Sequence, residues 1–142
     1  MEPDKRIVSF IRRHHVLTLA TCDQSGLWCA NIFYAWMERD GVLVFTTGAE
    51  TRHSAQMELN PNVAASVVLE TRVVGRVQGL QMTGRAERPQ GDMADRARKA
   101  YLRRFPYAAA MGLDLWMLRP DYMKLTDNRL GFGKKLIWNG EQ

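Results

Sequence analysis

Residues 28–68 read WCANIFYAWMERDGVLVFTTGAETRHSAQMELNPNVAASVV, and the order of signals in this stretch sets the fold class. Two apolar segments of strand length meet at Asp40-Gly41. Glycine takes the positive φ that a tight hairpin needs, so Trp28 to Met37 and Val42 to Thr47 are expected to pair antiparallel. The second segment leaves through Thr46-Thr47-Gly48 into Glu50-Thr51-Arg52-His53, where Thr51 is placed to cap a helix ending at Asn60-Pro61. A valine-rich strand, Val63 to Leu69, follows. Hydroxyls, the unpaired amides of a helix start and an arginine thus meet at one strand-to-helix corner, a combination suited to a phosphate. The same residues also read as an ordinary strand end with a solvated first-turn arginine. An arginine there opposes the helix dipole, which favours its facing an anion.

Working towards the N-terminus, Val16 to Cys22 reads as a strand that Asp23-Gln24-Ser25-Gly26 turns into Trp28 to Met37. Before it, Asp4 is expected to cap a helix from Lys5 to His14, with Ile7, Val8, Phe10 and Ile11 as its apolar stripe. His14 and His15 suit the negative end of that helix. No carboxylate or third histidine stands at metal spacing, so no metal is expected.

Working towards the C-terminus, Gly79 to Glu87 (GLQMTGRAE) alternates, with Leu80, Met82 and Gly84 on one face and Gln81, Thr83 and Arg85 on the other. Six strands and few helices indicate a mainly β, α+β protein built as a six-stranded antiparallel barrel with peripheral helices, a closure that removes exposed edges. Asp92 is expected to cap a helix over Met93 to Phe105, with Met93, Ala97, Ala100, Tyr101 and Phe105 inward and Arg96, Arg98, Lys99, Arg103 and Arg104 outward. Its charges complement the dipole, so the basic face has a structural explanation and nucleic acid is not the expected partner. Leu115 to Leu118 and Tyr122 to Thr126 read as two further strands. The glycine-rich GFGKK at Gly131 to Lys135 lacks the spacing of a P-loop or a Rossmann fingerprint. It reads equally as a cover over a planar anion and as a docked C-terminal arm.

At 142 residues the chain is expected to form one domain, 1–142, able to bury a core without metal or disulfide. Two cysteines, Cys22 and Cys29, are too few for a disulfide framework and read as reduced packing residues. No apolar run approaches membrane-spanning length and the first residues hold no uninterrupted signal-peptide core, so a soluble cytoplasmic protein without a membrane partner is expected. The net charge of +5, from 20 basic and 15 acidic residues, permits a phosphorylated ligand without requiring one. No hydrolase signature is present: there is no G-x-S-x-G and no H-E-x-x-H. An enzyme built on this chain needs an organic cofactor for its chemistry.

Phe45 to His53, followed by Asn60-Pro61 and a valine-rich strand, resembles the pyridoxamine-phosphate-oxidase-like FMN-binding split barrels, as does GRAE at Gly84 to Glu87. CANIFYAW, ETRHSAQM, ARKAYLRRFP and KLTDNRLGFGKKLIW resemble the YhbP-like bacterial branch, and this likeness covers nearly the whole chain. The resemblance implies a split barrel that binds FMN between two subunits of a homodimer and acts with a small-molecule substrate or electron donor. Phe33, Tyr34, Trp36 and Trp138 also give more aromatic surface than one small barrel needs to fill itself, and are expected at the dimer contact. It implies that Thr46, Thr47 and Arg52 take the phosphate and ribityl end, with His53 where the family usually has lysine. Counting back without gaps, Asn31 and Trp36 fall where the oxidases have an arginine and a lysine, so both departures remove positive charge. Phe33 and Gln81 are candidates for the ring system, and Lys134, Lys135 and Trp138 partial substitutes for the oxidases' C-terminal contacts. The oxidases' C-terminal arginine-histidine segment is not recognisable, which argues against pyridoxamine phosphate as substrate. A binding or sensing split barrel, including a haem protein with His14, His15 or His53 as axial ligand, is the alternative.

Overall fold

The computed structural model describes residues 2–140. Its strands are β1 (Val16–Asp23), β2 (Gly26–Phe33), β3 (Ala35–Met37), β4 (Val42–Thr46), β5 (Asn62–Leu69), β6 (Gln78–Glu87), β7 (Leu115–Asp127) and β8 (Lys135–Asn139). Its α-helices are α1 (Lys5–Arg13), α2 (Arg52–Leu59) and α3 (Asp92–Arg104). The strands form one antiparallel sheet in the order β2-β1-β5-β6-β7-β4-β3, with β8 beside the second half of β7. The first and last members of that order, β2 and β3, are consecutive in the chain. The sheet therefore curls until its two ends meet in one stretch of chain, which is an antiparallel split barrel.

The strand expected over Trp28 to Met37 is broken. Residues 26–33 pair with β1 along their whole length, and only Ala35–Met37 pairs with β4 across the Asp40-Gly41 turn. Tyr34 makes the break: its amide donates to the His15 carbonyl at 3.0 Å and its buried hydroxyl to the Ile11 carbonyl at 2.7 Å. The side chain that β-periodicity assigns to a strand is thus a tether that carries the chain from one end of the sheet to the other. Gly41 has φ +67°, the positive angle the turn requires.

The two strands expected in the tail are one, running through Pro120. Proline cannot donate to a ladder, and the strand survives because its register against β6 shifts between Thr83 and Gly84. Thr83 then donates to the Asp121 carboxylate at 2.5 Å. Beyond it, Lys135–Asn139 docks on β7 as a strand, so the arm reading holds for that segment.

Inside the barrel, Ile7, Phe10 and Ile11 of α1 pack on Leu17, Leu19, Phe45, Leu80, Leu118 and Met123. Asp4 caps α1 through the Arg6 amide at 2.8 Å, and hydrogen bonds from Arg6 hold its carboxyl down to about 2. On the outer side, Ala97, Tyr101 and Phe105 cover Met37, Val42, Val44 and Met117. The N-cap of α3 is Gly91, with no side-chain cap from Asp92. Its basic face is also not wholly outward, since Arg96 pairs with Asp40 at 3.0 Å and Arg104 donates to the His14 carbonyl. Cys29 is exposed on the outer face of β2 rather than packed. Because α3 covers only the β3–β4 half of the barrel, the outer face of β2-β1-β5-β6 is left open.

Candidate functional site

The strand-to-helix corner forms as a hydroxyl cluster. Thr51 caps α2, accepting from the Ser54 amide at 3.2 Å and donating to the Gly48 carbonyl at 2.8 Å. Thr47 lies 3.2 Å from the Thr51 hydroxyl and is hydrogen-bonded to Nε2 of His53. His53 is buried, and burial pushes its pKa below the ordinary 6.5, so the ring is neutral near pH 7 and adds no cation. Thr46 points elsewhere: its hydroxyl donates to the Asp114 carbonyl and accepts from the Asp114 amide, each at 3.1 Å.

Arg52 crosses to the β1–β2 turn. Its guanidinium lies 4.6 Å from the centroid of Trp28 and donates a long bond, 3.4 Å, to the Ser25 hydroxyl. It makes no salt bridge within the described residues. The turn is fixed to α2 by buried Gln56, which donates to Asp23 Oδ1 at 3.0 Å and to the Gly26 carbonyl at 3.1 Å and accepts from Thr21 at 2.5 Å. This satisfied network holds Ser25, Trp28 and Arg52 in one arrangement. Ser25 also donates to Asp23, which keeps that carboxyl ionised below the usual range.

The open sheet face holds the next group. Register places Asn31 opposite Thr18, Thr18 opposite Ser66, Ser66 opposite Gln81 and Gln81 opposite Lys124. Thr18 donates to Asn31 Oδ1 at 2.7 Å. A shallow groove of about 340 Å³ runs across these rows, floored by Ala20 and Ala64 and edged by Thr83, Tyr122 and Lys124. Phe33, Leu27, Val68 and Ile137 project from the same face at 44, 80, 67 and 62 % exposure. Small side chains in the middle and large apolar ones around them make a flat face.

The sequence-predicted residues therefore fall into separate places. Thr47 and His53 share the corner with Thr46 beside them, and Arg52 stands across the β1–β2 turn. Asn31, Phe33, Gln81 and Lys135 lie on the open face. Trp36 and Trp138 have the opposite parity and line a groove at the mouth of the barrel, while Lys134 sits in the loop before β8. Trp28 and Ser25, the partners of Arg52, were not read from the sequence, because they come from the far side of a turn. Thr18 and Ser66 carry a signal, the period of two along β1 and β5, that identifies them once the sheet order is known.

Fold and site together define the class, an antiparallel split barrel with a hydroxyl-lined strand-to-helix corner and an open sheet face. The family model described as pyridoxamine 5'-phosphate oxidase matches residues 3–124, and the chain belongs to that family. A UPF0306 protein of Photorhabdus laumondii is 39% identical over 129 residues, 91% of this chain and 90% of its own. Among solved structures, a haem-binding protein from Mycobacterium smegmatis superposes with a TM-score of 0.79 at 22% identity over 99% of this chain, which spans 60% of that one. An FAD-binding protein from Mesorhizobium loti superposes with a TM-score of 0.69 at 14% identity, covering 87% of this chain and 94% of its own. The expected fold and family are thereby borne out.

Proposed function

We propose that the protein binds FMN between two copies of itself and uses it as an oxidoreductase on a small molecule. The observation that carries this reading is the open sheet face, on which Asn31, Phe33 and Gln81 share one parity, while Arg52 stands at the β1–β2 turn stacked on Trp28 of the opposite parity. A flavin ring system fits an apolar wall with a few placed polar groups, and Asn31 and Gln81 supply amide donors and acceptors there. Arg52, which makes no ion pair among the described residues although its charge acts on nearby Asp23, stands at the start of α2 and holds the phosphate, with Thr47 as hydroxyl donor. Bound flavin supplies electron or hydride transfer, so the chain itself needs no acid, base or nucleophile.

Family membership and a flavin-binding structural neighbour support this reading. Haem is the competing ligand, drawn from the likeness to a haem-binding protein. Of the three histidines, His53 weighs against it, since its Nε2 is bonded to Thr47, while His14 and His15 make ring contacts with Phe10 and Phe33 at 4.3 and 6.0 Å, centroid to centroid. The absorption spectrum of the freshly purified protein tests both. Flavin bands bleached by reduced nicotinamide are expected; a Soret band, or no uptake of added FMN, overturns the reading.

A further inference from the structure

The mouth groove is the larger cavity, about 830 Å³, and it lies between α1, the β3–β4 hairpin and the Pro120 region of β7. It belongs to neither the corner nor the open face, because Trp36 and Trp138 reach it from the inward side of β3 and β8. Two indoles, with Met123 and Pro120, give it aromatic and apolar walls. The Trp36 indole N–H is buried and has no hydrogen-bond partner among the described residues, so Trp36 offers the groove its ring rather than its donor.

The rim has a definite charge balance. Arg12 is paired with Glu38, Arg119 with Glu87 and Asp40 with Arg96. The Asp121 carboxylate accepts from Thr83 and is part of the mouth lining. Lys5, Arg39 and Arg13, the last donating to Gln78, make no ion pair among the described residues, against the two carboxylates of Glu2 and Asp121. A volume within the range of small-molecule sites, two indole walls and three unpaired cations against two carboxylates point to one chemistry. We propose that the barrel mouth is a second ligand site, separate from the flavin face, which takes a planar aromatic anion such as an aryl sulfonate or carboxylate.

The test uses 1-anilinonaphthalene-8-sulfonate as probe, with saturating FMN present throughout, and follows dye emission excited through tryptophan. One dye per chain is expected. The double variant Lys5→Glu/Arg39→Glu, at two exposed positions that leave the core untouched, should weaken the sulfonate about tenfold or more. It should change affinity for the uncharged N-phenyl-1-naphthylamine little. Val68→Ser, on the open face, should leave sulfonate affinity unchanged. Equal sulfonate affinity in the double variant and the wild type overturns the proposal. So does displacement of the dye by FMN, or loss of dye binding in Val68→Ser, since either moves the dye to the sheet face. Failure of FMN to bind leaves the comparison of the double variant with the wild type intact, because that comparison does not depend on bound FMN.

Discussion

At the scale of single residues the corner separates two roles that adjacent positions share. Thr51 is bonded wholly within the protein, whereas Arg52 has an aromatic face, a long hydroxyl contact and the nearby charge of Asp23 but no ion pair among the described residues. Arg52→Ala should therefore weaken FMN binding by about 1.5 to 3 kcal/mol, roughly 10- to 150-fold, with the melting temperature nearly unchanged. Thr51→Ala should do the reverse, removing about 1 kcal/mol of stability through the lost cap. Flavin fluorescence quenching and thermal melts on the two variants distinguish them, and equal FMN affinity in Arg52→Ala and wild type removes the phosphate role. His53 adds a pH dependence. Its folded pKa is depressed by burial, so below 6.5 the unfolded chain binds the proton more readily and stability falls as pH drops towards the folded value. His53→Gln should flatten the fall in urea midpoint between pH 7.5 and 5.5. His14, lowered for the same first cause, keeps part of the slope.

At the scale of elements, what was legible followed from local pattern, and what was not followed from partners distant in sequence. The Thr51 cap, the Asp40-Gly41 turn and the alternation of Leu80, Met82 and Gly84 against Gln81, Thr83 and Arg85 are local and stand in the structure as read. The break at Tyr34 was hidden, because its cause is a pair of carbonyls on His15 and Ile11. The unbroken β7 was hidden as well, because Pro120 is tolerated only through a shift in a partner strand. That shift makes Gly84 a specific requirement: a Cβ there runs into the Arg119 carbonyl and the Leu118 side chain, whereas one on Gly79 in the same strand meets open space. Gly84→Ala should cost about 1 to 3 kcal/mol or more, as overpacking against backbone does. Gly79→Ala should be neutral or slightly stabilising through the unfolded chain. Urea midpoints for the pair check this, and equal values remove the packing role of the shifted register. The site was less legible than the fold for the same reason. Thr46, Thr47, Arg52 and His53 are neighbours in sequence, yet Thr46 faces Asp114 and Arg52 faces Trp28.

At the scale of the whole molecule, the case for a homodimer rests on different residues from those the sequence offered. Tyr34 is fully buried, and Trp36 and Trp138 pack against the core, so of the aromatic residues expected at a dimer surface only Phe33 is exposed. The open face provides the argument in their place. Leu27, Val68 and Ile137 are each more than half exposed around a floor of small residues, and neither α1, α2 nor α3 covers them. A flat sheet face with large exposed apolar residues set about a polar row suits a contact between copies, and a two-fold axis through it lets the same rows meet themselves. An interface of standard size buries roughly 800 Å² on each partner, which such a face can supply. Leu27→Asp/Val68→Asp would place two carboxylates from each copy in that contact, where each unpaired charge costs several kcal/mol. Light scattering should then change from dimer to monomer at micromolar concentration, while circular dichroism keeps its β signature because both side chains lie outside the barrel core. FMN affinity should fall with the dimer, since the proposed ring site lies on the same face. A wild-type protein that scatters as a monomer, or a monomeric variant that still binds FMN as tightly, would show that the face does not join two copies around the flavin.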